Sequence, residues 1–283
     1  MKIRAVAFDL DNTIYDYDSA HKIAFDALTR YAGEKFHLSP EEFQAAHRAA
    51  MDEQLERAGR ERAAIHNRLI RYQILLENLK KPYYLAYHMQ NLYWGVFLRN
   101  MRPAPGVSIA LKRLRRAGYT LGVGTNMTAD YQYEKLTRLR IAHLFDFIVS
   151  SEEVQSEKPE TKLFYYCMEK AGCSPFQCAF VGDSFRHDIK GALKADLIPI
   201  WYCPDFDLNN NNLNPGENLN NNLNNNLNNN APENASWADT GRPAYIPNGV
   251  YLLRDFLDLP GLLETINENT SLENINPEDI ILE

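Results

Sequence analysis

The spacing of apolar residues changes along the chain, and each change predicts a different kind of structure. Residues 3–8 are mainly apolar, and turn-forming residues follow at once in Asp9-Leu10-Asp11-Asn12-Thr13. A short apolar run that ends at turn residues is typical of a buried β-strand. Apolar positions then recur at helical spacing in segments 19–33, 40–58, 61–80 and 83–99. We therefore predict a helical module, residues 15–102, inserted after the first strand.

Two local features refine this helical module. Ser39-Pro40-Glu41-Glu42 is a helix start, because Ser39 can cap, Pro40 suits the first turn and the acids face the positive end of the helix dipole. An aromatic stripe is expected to pack in the core between the helices; it includes Tyr83, Tyr84, Tyr87, Tyr93 and Trp94.

Strand and helix patterns alternate after the linker Pro103-Ala104-Pro105-Gly106. The predicted strands are 119–123, 147–149, 179–181, 198–202 and 250–253, and the predicted helices are 129–139, 161–171, 186–194 and 254–264. Repeated βα units indicate a parallel sheet covered by helices on both faces. The expected fold class is α/β, a Rossmann-like doubly wound core made of residues 1–14 and 103–265 with the helical module inserted.

Two segments do not fit this pattern. Residues 208–230 are nearly pure Asn and Leu, and Asn is a poor helix former, so we predict a disordered insertion within the core. The acidic segment 266–283 is expected to be a disordered tail.

Composition excludes several classes of partner. The net charge of -7 argues against a nucleic acid polymer or an anionic membrane as the main partner. The four cysteines have no CxxC spacing, and no signal peptide or spanning segment is evident, so reduced thiols and a cytoplasmic location are expected. The oligomeric state is left open.

Polar residues that can carry chemistry follow several of the predicted strands. Asp9 and Asp11 follow the first strand, Thr125 and Asn126 the second, and Lys158-Pro159 opens a helix. A later strand ends in Gly182-Asp183-Ser184, with Asp188 five residues beyond Asp183. Because ligands bind at the carboxyl ends of strands in open α/β sheets, the fold would gather these groups along one edge. The two N-terminal carboxylates could hold a divalent cation, attack an electrophile, or do both.

These residues, in this order, resemble the haloacid dehalogenase-like hydrolase superfamily. The resemblance is carried by Phe8-Asp9-Leu10-Asp11-Asn12-Thr13, Thr125-Asn126, Lys158-Pro159, and Val181 through Asp188 to Gly191-Ala192. The helical module looks like the helical cap of its phosphatase branch, whose closure shields the site. The chain departs from that pattern at Asp196, where many relatives have Gly, and in its Asn-rich tract.

The resemblance, together with the roles that phosphoryl transfer requires, implies a Mg²⁺-dependent phosphatase of a small phosphorylated metabolite, for example a nucleoside monophosphate or a sugar phosphate. Asp9 is the expected nucleophile that forms an aspartyl-phosphate, and Asp11 the general acid and base. The expected ligands of Mg²⁺ are Asp9, the backbone carbonyl of Asp11, Asp183 and Asp188, the last directly or through an outer shell. Thr125, Asn126 and Lys158 would hold the phosphate.

The sequence also bears on the other functions of this superfamily. Asp11 argues against halide chemistry, which needs no second acid, and neither Lys22 nor Lys35 has a setting distinctive of a phosphonate hydrolase. A sugar-phosphate mutase remains an alternative, as does, less favoured, a non-catalytic binding protein.

The segment after the first motif bears on the substrate. It is similar to soluble pyrimidine 5'-nucleotidases of the superfamily, so Tyr15 or Tyr17 could stack on a base or simply pack in the core.

Overall fold

The computed structural model describes residues 2–59, 63–204, 245–246 and 249–272. Its centre is a seven-stranded sheet with the order β3-β2-β1-β4-β5-β7-β6. The strands are β1 (Ala5–Phe8), β2 (Thr120–Thr125), β3 (Phe147–Ser150), β4 (Cys178–Gly182), β5 (Ile198–Tyr202), β6 (Tyr245–Ile246) and β7 (Val250–Leu253). Neighbouring strands are parallel except β6 and β7. The predicted α/β fold class is confirmed.

Strand β1 lies in the middle of the sheet, between β2 and β4. Phe8 is in register with Val123 on one side and Val181 on the other, so these three strands end at about the same level. All four residues of β1 are buried. Side chains of a strand alternate between its faces, and both faces of β1 are covered.

Helices cover the two faces of the sheet. They are α5 (Val107–Arg116), α6 (Ala129–Arg138), α7 (Ser151–Val154), α8 (Thr161–Ala171), α9 (Lys190–Lys194) and α10 (Leu259–Leu272). Val6 and Phe8 belong to one apolar cluster with α5 and α10, whereas Ala5 and Ala7 belong to a second cluster with α8. This three-layer arrangement leaves the carboxyl ends of the strands to form the site.

The helical module consists of α1 (Tyr17–Phe36), α2 (Pro40–Ala58), α3 (Arg68–Asn78) and α4 (Leu85–Asn100). Helix α1 packs against α4, and α2 packs against α3. The Ser39 hydroxyl accepts a hydrogen bond from the Glu42 N–H, and the Glu42 carboxylate accepts one from the Ser39 N–H. This is the reciprocal capping box that the sequence predicts at the start of α2. The helical module also contacts a helix that covers the sheet: Trp94 of α4 stacks on Tyr131 of α6, with ring centroids 3.9 Å apart.

The predicted aromatic stripe is only partly correct. Tyr93 and Trp94 are buried, but Tyr83, Tyr84 and Tyr87 have 69%, 67% and 62% of their surface exposed. Helix α4 begins at Leu85, so the first two tyrosines precede it. Its buried face is set by Met89, Tyr93 and Phe97, which are four residues apart, and Tyr87 falls outside this spacing.

Three other predicted elements differ from the structure. The segment 61–80 is divided, because Asn67 caps α3 after a short 3₁₀ turn, Ala63–His66. The segment 186–194 begins as a π-helical turn, Phe185–Ile189, before α9. Helix α10 starts at Leu259 and continues into the predicted tail as far as Leu272, because Ile266 is buried and Asn267 accepts a hydrogen bond from the Ile3 N–H.

The Asn-rich tract 208–230 and residues 273–283 lie outside the described residues. The helix end at Asp196 is left-handed (φ 58°), a conformation that Gly adopts more readily than Asp.

Candidate active site

Asp9 and Lys158 form the centre of the site. Asp9 follows β1 directly and is buried. The Lys158 ammonium lies 2.5 Å from Asp9 Oδ1 and 2.7 Å from Asp188 Oδ1, and it also donates to the Gly124 carbonyl at 3.0 Å. Lys158 is itself buried, so its charge is neutralised almost entirely by these two carboxylates. The structure therefore brings together three of the predicted groups from three different segments of the chain.

Asp188 is held by the turn that follows β4. Its Oδ2 accepts a hydrogen bond from the Ser184 N–H at 3.0 Å, within the π-helical turn. Gly182 permits this approach, because a Cβ built there would lie 2.4 Å from Asp188 Cγ. A side chain at position 182 is thus incompatible with the observed position of the carboxylate.

Asp183 is joined to Asp9 through Thr13. The Thr13 hydroxyl lies 3.1 Å from Asp183 Oδ1 and 3.3 Å from Asp9 Oδ2, and it accepts the Asp183 N–H at 3.0 Å. The Asp183 carbonyl accepts the Trp201 indole N–H at 2.7 Å. Thr13 is fully buried. The hydroxyl links the two carboxylates, a role that the sequence pattern does not indicate.

Asp9, Asp183 and Asp188 form a carboxylate cluster suited to a cation. One oxygen from each lies within 4.8 Å of the others. Burial is the main cause that raises the pKa of Asp9 to about 7, with Lys158 opposing it and Asp188 and Asp11 adding to it. Burial, then Asp188 and Asp9, raise the pKa of Asp183 well above its usual range. Lys158 cannot balance the charge of all three carboxylates, and a hard divalent cation with oxygen ligands fits the donor set.

Thr125 and Asn126 lie at the end of β2, but their side chains are engaged within the protein. The Asn126 amide binds the backbone of Lys158, accepting its N–H at 2.8 Å and donating to its carbonyl at 3.4 Å. The Thr125 hydroxyl accepts from Gln132 Nε2 at 2.6 Å and donates to the Asn126 carbonyl at 3.3 Å. In this conformation Asn126 positions the lysine segment, whereas its own contact with a phosphate stays a prediction.

The carboxylate of Asp11 points to a different set of partners. It accepts hydrogen bonds from the Tyr15 hydroxyl at 2.6 Å and from the Lys135 ammonium at 2.7 and 2.9 Å. Lys135 is fully buried on α6. Its ammonium lies within 5.7 Å of several ring centroids, among them Tyr17 and Trp94 of the helical module. Asp11 therefore lies where the helical module meets the sheet.

Several residues of the site were not predicted from the sequence. Lys135 lies on a helix, and no local signal distinguishes it. Glu157 precedes Lys158, is buried, and accepts the Ser151 hydroxyl at 2.6 Å. His66 Nε2 lies 3.2 Å from the other Glu157 oxygen and so contacts the lysine segment from the helical module.

None of the helices that the structure describes combines the length and the hydropathy needed to span a membrane.

Several known proteins have sequences similar to this chain. A profile described as haloacid dehalogenase-like hydrolase matches residues 6–201. The glyceraldehyde 3-phosphate phosphatase of Methanothermobacter thermautotrophicus is 34% identical over 199 residues, 70% of this chain and 84% of the relative. The human N-acylneuraminate-9-phosphatase is 27% identical over 216 residues, 71% of this chain and 82% of the relative.

Solved structures show the same fold at lower identity. The 2-haloacid dehalogenase of Pseudomonas syringae pv. Tomato superposes with a TM-score of 0.62 at 24% identity, covering 93% of this chain and 99% of that one. The HAD-hydrolase YfnB of Bacillus subtilis, whose structure has bound magnesium, superposes with a TM-score of 0.57 at 23% identity. It covers 73% of this chain and 92% of its own.

Proposed function

Because this chain belongs to the haloacid dehalogenase-like hydrolase family, we propose that it is a Mg²⁺-dependent phosphatase working through an aspartyl-phosphate. The predicted resemblance is confirmed, and so is the prediction of a hydrolase that acts on phosphoric monoesters. A small phosphorylated substrate accords with the phosphatase relatives. The observation that carries the proposal is the contact of Asp9 with Lys158 inside the Asp9, Asp183 and Asp188 cluster.

In this proposal, Asp9 attacks phosphorus and the leaving oxygen departs. The resulting phosphoaspartate is then hydrolysed, which divides one difficult step into two. Lys158 neutralises charge on the non-bridging oxygens from its position against Asp9. Without that positive charge, the carboxylate would approach a dianion against like-charge repulsion. The amides at the end of β2, beside Thr125 and Asn126, lie on the same edge and would hold the phosphate.

Asp11 is the proposed general acid and base. Its carboxylate is partly exposed, unlike the buried carboxylate of Asp9, and it lies two residues further along the same loop. Asp11 would protonate the leaving oxygen and then take a proton from the attacking water. Lys135 and Tyr15 hold this carboxylate from the side of the helical module.

Asp9, Asp183 and Asp188, with the backbone carbonyl of Asp11, would hold Mg²⁺. When bound, the ion would supply positive charge that screens the acids and stabilises the transferred phosphoryl group. We propose residues 15–102 as the cap that covers the reaction. The nucleotidase reading, a cytoplasmic location and the absence of nucleic acid or membrane partners stay predictions.

The test is release of phosphate with Mg²⁺ from a panel of sugar phosphates and nucleoside monophosphates. We expect activity in the wild type and in Asp26→Asn, an exposed acid on α1, and a loss of at least about 10³-fold in Asp9→Asn. Mass spectrometry of the products separates hydrolysis from a mutase reaction, which would isomerise the sugar phosphate instead. Full activity of Asp9→Asn would refute the mechanism.

A further inference from the structure

The interior of the helical module contains basic side chains in place of a purely apolar core. Arg68 and Arg71 of α3 are buried, as is His47 of α2, and His21 of α1 is half-buried. Arg71 donates to Gln54 Oε1 at 2.9 Å and to the Ile65 carbonyl at 2.7 Å. Arg68 donates to the Tyr17 hydroxyl at 2.7 Å. Neither arginine forms an ion pair with a carboxylate in the part of the chain that the structure describes.

Four polar atoms in this interior are buried without a hydrogen-bond partner among the described residues. They are Arg68 Nε, His47 Nε2, Tyr72 Oη and Trp94 Nε1. Buried polar groups in proteins are almost always paired, and an unpaired guanidinium N–H is unfavourable. Tyr72 is fully buried, and Arg68 and His47 are each 7% exposed, so bulk water does not satisfy these atoms. Such a set is suited to hydrogen bonds with a bound polar ligand.

The two histidines of this interior are neutral, so its positive charge comes from the arginines. Burial first, and then Arg71 and Arg68, lower the pKa of His47 to about 3. Burial and the same two arginines lower the pKa of His21 to about 4. Both imidazoles are therefore neutral at physiological pH, and the arginines supply the positive potential. An anion is the ligand that this potential favours.

This basic interior adjoins the reaction site. The Arg68 guanidinium carbon lies 4.1 Å from the Tyr93 ring centroid and 5.2 Å from that of Trp94. The Lys135 ammonium, which binds Asp11, lies 5.7 Å from the Trp94 centroid and 5.7 Å from that of Tyr17. Tyr17 and Trp94 thus contact both Arg68 and the lysine of the reaction site. To contact Arg68, a substrate whose phosphate lies at Asp9 would have to extend past these two aromatic rings.

We propose that Arg68, supported by Arg71, binds a second anionic group of the substrate, a carboxylate or a phosphate, remote from the phosphate that is hydrolysed. This proposal rests on the proposed function and specifies the substrate class of the same site. The planar guanidinium suits both anions, since each can accept two parallel N–H bonds. Small sugar phosphates without a second anion would be hydrolysed without this contact.

Two matched pairs of substrates test the proposal and distinguish the two anions. Gluconate 6-phosphate and glucitol 6-phosphate differ by one carboxylate, and fructose 1,6-bisphosphate and fructose 6-phosphate differ by one phosphate. We expect the wild type to favour the member with the second anion in at least one pair, by about 10- to 100-fold in kcat/KM. Arg68→Gln should abolish that preference and leave hydrolysis of p-nitrophenyl phosphate within about threefold of the wild type.

The control is Arg48→Gln, which removes an exposed arginine from α2 and should retain the preference. A wild type without preference in either pair would overturn the proposal, as would a preference that survives Arg68→Gln. An equal loss on every substrate, p-nitrophenyl phosphate included, would overturn it too, because it indicates a purely structural arginine.

Calorimetric titration of Asp9→Asn with the same pairs measures the preference without catalysis. Tighter binding of the doubly anionic member, lost in Asp9→Asn/Arg68→Gln, supports the subsite even if no phosphate is ever released. Equal binding of both members by Asp9→Asn overturns the subsite even if the phosphatase activity is found.

Discussion

Replacing Asp183 with Asn should make the metal-free protein more stable while removing its response to Mg²⁺. Asp183 shares the site with Asp9 and Asp188, and Lys158 supplies one positive charge to a site of three carboxyl groups. Asn keeps the size of the side chain and an oxygen that can accept the Thr13 hydroxyl, now 3.1 Å from Asp183 Oδ1. The substitution therefore removes charge from a crowded site with little change in packing.

The direction of the effect follows from the titration of Asp183. Burial, Asp188 and Asp9 raise its pKa above the value of the unfolded chain, so the folded state retains a proton that the unfolded state has released. Between pH 5 and pH 8, above the ordinary Asp pKa of about 3.9, the wild type therefore loses stability as pH rises towards the raised pKa. We expect Asp183→Asn to exceed the wild type by about 1–3 kcal/mol at pH 8 in EDTA, the cost typical of a buried polar group that is poorly compensated, and by about 2–12 °C in Tm.

The assay is thermal unfolding across this pH range, in EDTA and in excess Mg²⁺. The difference between variant and wild type should grow with pH, because the amide does not titrate. Mg²⁺ at about a hundred times its Kd should stabilise the wild type by about 2.7 kcal/mol, and Asp183→Asn by far less. Asp26→Asn serves as the control, since Asp26 is exposed on α1 and should change neither quantity. A variant less stable than the wild type in EDTA at pH 8, or one that responds fully to Mg²⁺, would refute the reasoning.

Three further substitutions test other contacts. Gly182→Ala should displace the Asp188 carboxylate, since the new Cβ would lie 2.4 Å from its Cγ; we expect Mg²⁺ affinity measured by titration calorimetry to fall at least about tenfold. Asp196→Gly should raise the free energy of unfolding in urea by about 0.5–1 kcal/mol, because φ of 58° is strained for a residue with a Cβ. Lys135→Met should lower kcat by about 10- to 100-fold with a smaller change in KM, because Asp11 loses both hydrogen bonds from the ammonium.

Each of these variants has a matched control. Gly95→Ala adds a methyl group on α4 where the nearest neighbour lies 3.8 Å away, and Mg²⁺ affinity should not change. Asp130→Gly, in the first turn of α6, should lower the free energy of unfolding. If it raised that free energy as much as Asp196→Gly does, the positive φ of Asp196 would not be the cause of the effect. Lys162→Met changes an exposed lysine, and a kcat equal to that of Lys135→Met would show that the Asp11 contact is irrelevant to turnover.

The sequence predicts the core of this site well because its residues are tied to strand ends. Asp9 follows β1, and Asp183 follows β4, and the register of parallel neighbours forces them together. The place of Lys158 could be predicted because its segment lies between a strand and a helix of the same sheet, β3 and α8. Thr13 lies within the first motif, but its link between two carboxylates depends on distances that spacing does not contain.

Residues that act across the boundary between helical module and sheet could not be predicted in the same way. Lys135 is one of two cations on α6, and only the tertiary packing that buries it beside Asp11 distinguishes it from Arg138, which is exposed. The prediction of the aromatic stripe was only partly correct for another reason, because the start of α4 and the spacing of its buried face are set by the packed structure. Tyr87 is exposed and Tyr93 is buried on the same helix.

The proposed functions of the site therefore fall on two parts of the chain that are subject to different physical constraints. Strand register fixes the separation of Asp9 from Asp183, so the groups that would handle the phosphate cannot move independently of the sheet. The groups that would read the rest of the substrate, Arg68 above all, lie on helices that contact the sheet through side chains such as Trp94. Substitutions on α3 could alter the second anion that is accepted while leaving the reaction intact.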